Sequence, residues 1–317
     1  MVIFRNRDEL LSHGNIEGRE CVLDILETGL AAGDPYENVL KTVRIENGKL
    51  LVGSEEFPLG PMGRHVPSYP RPFGPPPLVF DLDKVGNIYL LGGGKAAQRQ
   101  AKALEDVLGD LITEGHVNAK KGDAVVLKHA TVSLAGHPEP DEDSVIGAQR
   151  IVDIGIKGKK DDIVFFSESG GGTALMTLPA PGLTLKDVQD TNRILYLEHG
   201  APMPVANAVR FLITNLREKH SRFVGDATLI MLSTDERPPA NPPSYAGRRS
   251  VDDEYEYAIE LLKEYNCWDC NGSASNGESP PHTKRQPVCA VALRAAAGNA
   301  PSAWPGVPRP TYGGARP

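Results

Sequence analysis

Apolar positions recur along this chain with two periods, and the change between them divides it into regions. Residues 18–32, GRECVLDILETGLAA, repeat at helical spacing, with Val22, Leu23, Ile25, Leu26 and Leu30 falling on one face. The segment TVRIENGKLLVG then alternates around Asn47-Gly48, the sign of a two-residue β-hairpin. A Pro/Gly-rich stretch over residues 57–79 breaks both periods and reads as loop or polyproline.

Beyond it, short apolar runs alternate with amphipathic stretches. NIYLL (87–91), DAVVLKH (123–129), DDIVFFSE (161–168) and DATLIMLS (226–233) are predicted strands. Helices are predicted over 96–110, 143–156, 184–200, 204–219 and 251–266. The third has Thr184 as N-cap, Asp187 three residues on and Gly200 at its stop. Strands alternating with helices predict an α/β fold, a three-layer αβα sandwich on a mostly parallel sheet. In such sheets, ligands bind at the carboxyl ends of strands.

Bulk composition narrows the partners. The chain has 317 residues, with 40% apolar and 24% charged residues, as in an ordinary globular protein. A net charge of −7 disfavours nucleic acid and anionic membranes. No apolar run approaches a bilayer span, and the first residues lack the apolar core of a signal peptide. Four scattered cysteines, Cys21, Cys267, Cys270 and Cys289, fit a cytoplasmic location better than a disulfide framework or a zinc site. Residues 271–317 carry five Lys/Arg against one acid, Glu278, and are rich in Pro, Gly, Ala and Ser, the composition of a disordered tail. The expected organisation is therefore one α/β domain over 1–270 followed by that tail.

Two strand–glycine–helix junctions carry the candidate chemistry. Gly92-Gly93-Gly94-Lys95 precedes one predicted helix, and Ser169-Gly170-Gly171-Gly172-Thr173 follows another strand. Glycines let backbone approach a ligand closely, and amides at a helix start favour anions. Lys95 is a cation placed to reach a phosphate or carboxylate. Neither loop is a Walker A motif or a complete dinucleotide fingerprint. In the turn His137-Pro138-Glu139-Pro140-Asp141, Asp141 either orients a substrate hydroxyl or Mg²⁺, or caps the next helix. Asn207 and Arg210 lie on a later helix, where Arg210 suits an anionic group.

These residues, as GGGKAA, GHPEPDE, SGGGTALMTLPAPGLTL and HGAPMPVANAVR in that order, resemble the N-terminal domain of the glycerate 2-kinase family of the MOFRL type. The resemblance runs over about residues 15–269. It implies phosphorylation of D-glycerate by ATP with Mg²⁺. Lys95 is then the key cation, Gly93, Gly94 and Ser169 to Thr173 the cradle, and Asn207 and Arg210 part of the site. Family sites lie between two domains, and the second has no counterpart within these residues. The family's Lys-His-Leu-Ser after the arginine is replaced here by Phe211-Leu212-Ile213-Thr214, its Lys-Gly-Gly by Arg217-Glu218-Lys219, and its acidic position before the asparagine by Val205. Of its Ser-Asp-Val, only Asp235 in Ser233-Thr234-Asp235 remains to replace the acid, as a candidate metal ligand. This drifted form also resembles the small ε-type subunit of acetophenone carboxylase. That resemblance implies an accessory subunit of an ATP-dependent ketone carboxylase, a ligase working with other subunits on ketone and bicarbonate. The alternatives are a glycerate-type kinase acting on a small hydroxy acid, and a non-catalytic interaction protein that keeps only the fold.

Overall fold

A computed structural model describes residues 4–53, 77–122, 126–216 and 219–234, together with 258, 260 and 263. The predicted tail over 271–317, Asp235, Cys267, Cys270 and Cys289 lie outside the described residues. So do most of the Pro-rich segment and most of the last predicted helix, of which positions 258, 260 and 263 are helical.

The chain opens with α1 (Arg7–Leu10), α2 (Ile16–Ala32) and α3 (Pro35–Thr42). Next comes an antiparallel sheet of β1 (Val43–Glu46), β2 (Lys49–Val52) and β3 (Leu78–Asp81), in the order β1-β2-β3. The hairpin turn forms as expected: Asn47 and Gly48 take φ of 51° and 73°, the left-handed pair that this connection requires. The expected loop over 57–79 ends sooner than its composition implied. Leu78 and Val79 are strand residues, because Leu78-Val79-Phe80 pairs in register with Leu50, Leu51 and Val52.

The central sheet contains β4 (Ile88–Gly93), β5 (Ile112–Lys120), β6 (Thr131–Ala135), β7 (Ile163–Ser169) and β8 (Thr228–Thr234). Among the described residues its order is β6-β5-β4-β7-β8, parallel throughout. The helices between and after these strands are α4 (Ala97–Leu108), α5 (Glu142–Gly155), α6 (Gly172–Leu175), α7 (Leu185–Asn192) and α8 (Met203–Ile213). A π-helical turn, Arg193–Glu198, extends α7. The capping box at Thr184 and Asp187 that the sequence predicts is present.

β4 and β7 are buried at every position, so their side chains alternate between two apolar layers. Ile88, Leu90, Ile163 and Phe165 pack with Ala97, Ala101 and Leu104 of α4, and with Val43, Leu50 and Val52 of the small sheet. Tyr89, Leu91, Val164 and Phe166 face the other way, onto Ala148, Ile151 and Val152 of α5. This is the predicted three-layer αβα sandwich. Arg99 of α4 forms an ion pair with Asp34, the N-cap of α3, at 2.7 Å.

Two expectations fail in the described residues. Residues 126–130 are not a strand. The amides of Lys128, His129 and Ala130 instead donate to the buried Glu105 carboxylate at 2.7–3.1 Å. The strands on either side of them, β5 and β6, escape an apolar-run search because β5 buries polar side chains. His116 bonds Thr131 and Ser133, while Asn118 Nδ2 donates to Ser144 O and Leu175 O. In α2 the predicted apolar stripe is real, yet only Leu23 is buried. Val22, Ile25, Leu26 and Leu30 are 47–65% exposed, and no residue of the helix joins the hydrophobic clusters of the described residues.

Burial, with Arg150 as a secondary cause, pushes the His116 imidazole down to about 4. The unfolded chain takes up that proton near pH 6.5, so stability present at neutral pH is lost as pH falls from about 6.5 towards 4. The loss is expected to reach roughly 3 kcal/mol at most. Urea midpoints measured across this range check it, and His116→Gln is expected to flatten this limb.

Candidate active site

The two glycine triplets meet at the carboxyl end of the sheet, where β4 and β7 lie side by side. Their roles differ. The first is consumed by packing. A Cβ at Gly92 would fall 2.3 Å from Ser167 O, one at Gly93 2.4 Å from Met176 Sδ, and one at Gly94 2.8 Å from Ser169 N. Its amides are also taken. Gly94 N–H donates to Asn118 O at 3.1 Å and Lys95 N–H to Gly170 O at 3.0 Å. Ala96 N–H donates to the Ser169 hydroxyl at 2.8 Å. The backbone of residues 92–96 is therefore no anion cradle, and Ser169 has a structural partner.

The second triplet is different. Gly171 adopts φ +91° and caps the short α6. A Cβ there would lie 2.9 Å from His137 Cδ2 and Nε2, and 3.3 Å from Lys95 Cγ, so both side chains stand over the glycine. Among the described residues, the amides of Gly170, Gly171 and Gly172 form no hydrogen bond to a protein acceptor. Thr173 is buried in the first turn of α6, its carbonyl accepting from Thr177 Oγ1.

Lys95 is exposed, whereas Arg210 is 3% exposed, contrary to the usual solvated helix arginine. Arg210 Nη1 donates to Asn207 Oδ1 at 3.4 Å and to Tyr196 Oη at 3.3 Å, so the two expected helix residues do act together. Burial first, then Lys95, Lys120 and Arg210, lowers the His137 pKa below its usual value. His137 is the residue that sequence reasoning passed over, since attention in its turn went to Asp141. A histidine in the loop between a strand end and the next helix was the available signal.

Asp141 caps α5 through a complete capping box with Ser144, and pairs with Lys121 at 2.7 Å. Although burial opposes it, the hydrogen bonds from Lys121, Gly136 and Ser144 hold its carboxyl at about 2. Its geometry fixes the loop that carries His137. Glu168, the acid beside the glycines, is buried and turned towards His220, with Oε2 to Nε2 at 3.9 Å. Lys219, in the drifted segment after α8, donates to Phe211 O and Thr214 O and so closes that helix. Among the described residues no three His, Cys, Asp or Glu side chains converge as a metal cage.

Residues 21–273 match the family described as "Domain of unknown function (DUF4147)". The chain belongs to this family. It is 31% identical over 253 residues to a glycerate 2-kinase of Pyrococcus horikoshii, covering 79% of this chain and 51% of that one. It is 37% identical over 132 residues to a D-glycerate 2-kinase of Thermotoga maritima, 41% of this chain and 31% of that one. The crystal structure of the PH0495 protein from Pyrococcus horikoshii OT3 superposes with a TM-score of 0.62 at 27% identity, over 88% of this chain and 55% of that one. The chain thus spans about half the length of these relatives, or less. They support the resemblance to the N-terminal domain of glycerate kinases. The expectation of a ligase, a carboxylase accessory subunit, is overturned, because the two curated relatives above are named as glycerate 2-kinases. Drift in sequence alone does not distinguish a ligase subunit from a kinase. In the structure Lys219 of the drifted segment has taken a structural role, while Arg217 and Glu218 lie outside the described residues.

Replacing Ser169 by Ala removes the acceptor of the Ala96 amide between the two loops. The expected cost is about 1–3 kcal/mol of stability, read from urea unfolding.

Proposed function

We propose that the chain forms the anion-binding half of a glycerate-kinase-type site, which phosphorylates a small hydroxy acid such as D-glycerate. One observation carries this reading. Lys95 and His137 stand over a glycine turn whose amides have no protein acceptor among the described residues, and the Arg210 charge acts on the same imidazole. Such a donor set suits phosphoryl or carboxylate oxygens. The names of the relatives make D-glycerate the first acceptor to test.

In this reading ATP, with Mg²⁺, supplies the phosphoryl group. Lys95 reaches it from the exposed side of the turn, and the amides of Gly170 to Gly172 hold its oxygens. Arg210, steadied by Asn207 and Tyr196, adds a buried charge that favours the anion. Gly93, Gly94 and Ser169 shape the turn from beneath, and Asp141 holds the neighbouring loop. Asp235 lies outside the described residues, and no protein ligand for Mg²⁺ is assigned.

The test is turnover of D-glycerate and ATP by the purified full chain, alongside Lys95→Ala. Loss of this cation is expected to lower kcat/KM by about 10²–10³-fold. Because Lys95 is exposed, stability should change by only about 0.5 kcal/mol or less. Calorimetry with inorganic phosphate gives a second readout, with binding expected for the wild type and lost in Lys95→Ala. Phosphate binding of equal strength in both proteins would refute the reading.

A further inference from the structure

Transfer of a phosphoryl group to an alcohol leaves one proton to be placed. ATP and R–OH become ADP, R–OPO₃²⁻ and H⁺: the acceptor oxygen forms the new P–O bond, the bond to the ADP oxygen breaks, and the hydroxyl proton needs a base. Among the described residues, the two buried or half-buried acids closest in sequence to the two loops, Asp141 and Glu168, are already engaged, while Glu139 is exposed. Asp141 is tied into the α5 cap and to Lys121. Glu168 is buried and faces His220, whose ring stacks on Phe166 at 4.1 Å. His199 stands exposed at the end of the π-helical turn.

His137 differs from all of these. Its ring lies over Gly171, with Nε2 and Cδ2 each 2.9 Å from where a Cβ would stand. It is half-buried, and forms no hydrogen bond to another described residue. A side chain at position 171 would displace it, so the absence of a Cβ is what admits the imidazole to the phosphate turn. We propose that His137 is the general base of this site, taking the proton of the acceptor hydroxyl on Nε2 as the acceptor oxygen attacks phosphorus.

The surroundings favour that role. The charged groups acting on the ring are Lys95, Lys120 and Arg210, all cations, and with burial they keep the imidazole neutral and able to accept. As the proton arrives, the incoming anionic substrate offsets those cations, and the imidazolium then releases the proton to solvent. The inference rests on the kinase reading above.

The experiment is a pH–rate profile of the full chain with ATP, Mg²⁺ and D-glycerate, for wild type, His137→Gln and His137→Asn. Wild-type kcat/KM should fall as pH drops, with a midpoint below about 6.5. In both variants kcat should fall about 10²–10⁴-fold with KM within about threefold, the acid limb should vanish, and added imidazole should restore turnover. Unfolding midpoints like those of the wild type show that the variants fold. Variant kcat within about threefold of wild type, or an unchanged acid limb, would overturn the base assignment alone. Absence of turnover in wild type would also overturn it. The fate of the anion site is then decided separately, by calorimetric binding of inorganic phosphate to wild type and to Lys95→Ala.

Discussion

Three hydrogen bonds tie the ends of β4, β5 and β7 together: Gly94 N–H to Asn118 O, Lys95 N–H to Gly170 O, and Ala96 N–H to the Ser169 hydroxyl. Their spacing forces the two loops to within a Cβ of each other, which is why position 94 has no room for a side chain. The consequence is a division of labour. One loop spends its amides on structure and contributes a lysine. The other, braced by the first, keeps its amides available. Neither loop could do both, since an amide bonded to a protein carbonyl has no proton left for a phosphate oxygen.

The same economy governs the buried polar residues. Asn118, on the strand next to β4, donates to the carbonyls of Ser144 and Leu175, joining the first turn of α5 to the end of α6. Gly147 makes the join possible, as its missing Cβ would lie 2.1 Å from Asn118 Oδ1. Asp141 fixes the start of the same helix through Ser144 and Lys121. The loop carrying His137 is thus held at its Asp141 end. Such satisfied polar contacts contribute little net stability, but they are costly to break, and so they specify one arrangement.

The layers of the fold were legible because β4 and β7 are continuous apolar runs and α4, α5 and α7 carry clear periods or caps. β5 and β6 were not legible. Periodicity counts His116, Glu114 and Asn118 as exposed, whereas tertiary partners bury the first and last of them. The nearby run DAVVLKH of 123–129 carries the strand pattern instead. Only the structure reveals that Glu105 gathers that backbone. In the site, the glycine loops and Lys95 could be found from residue type and spacing. The difference between the two triplets could not, because it depends on which amides another strand already occupies.

Arg210 shows how burial changes the meaning of a residue type. In sequence it is one more helix arginine, and such residues are usually solvated. Here it is nearly inaccessible, and a guanidinium cannot shed its charge to escape the desolvation penalty. Among its contacts, Nη1 reaches Tyr196 Oη and Asn207 Oδ1, which orient the guanidinium. Its charge is felt at His137, where burial, Lys95 and Lys120 also lower the pKa. Free energy spent on burying a cation near a glycine turn is recovered when an anion arrives, because the attraction grows as water is excluded. A cation left in solvent would be screened and would discriminate poorly between bound and unbound states. In the proposed site, the buried arginine would thus add to the glycine turn a charge that a solvated lysine alone does not supply.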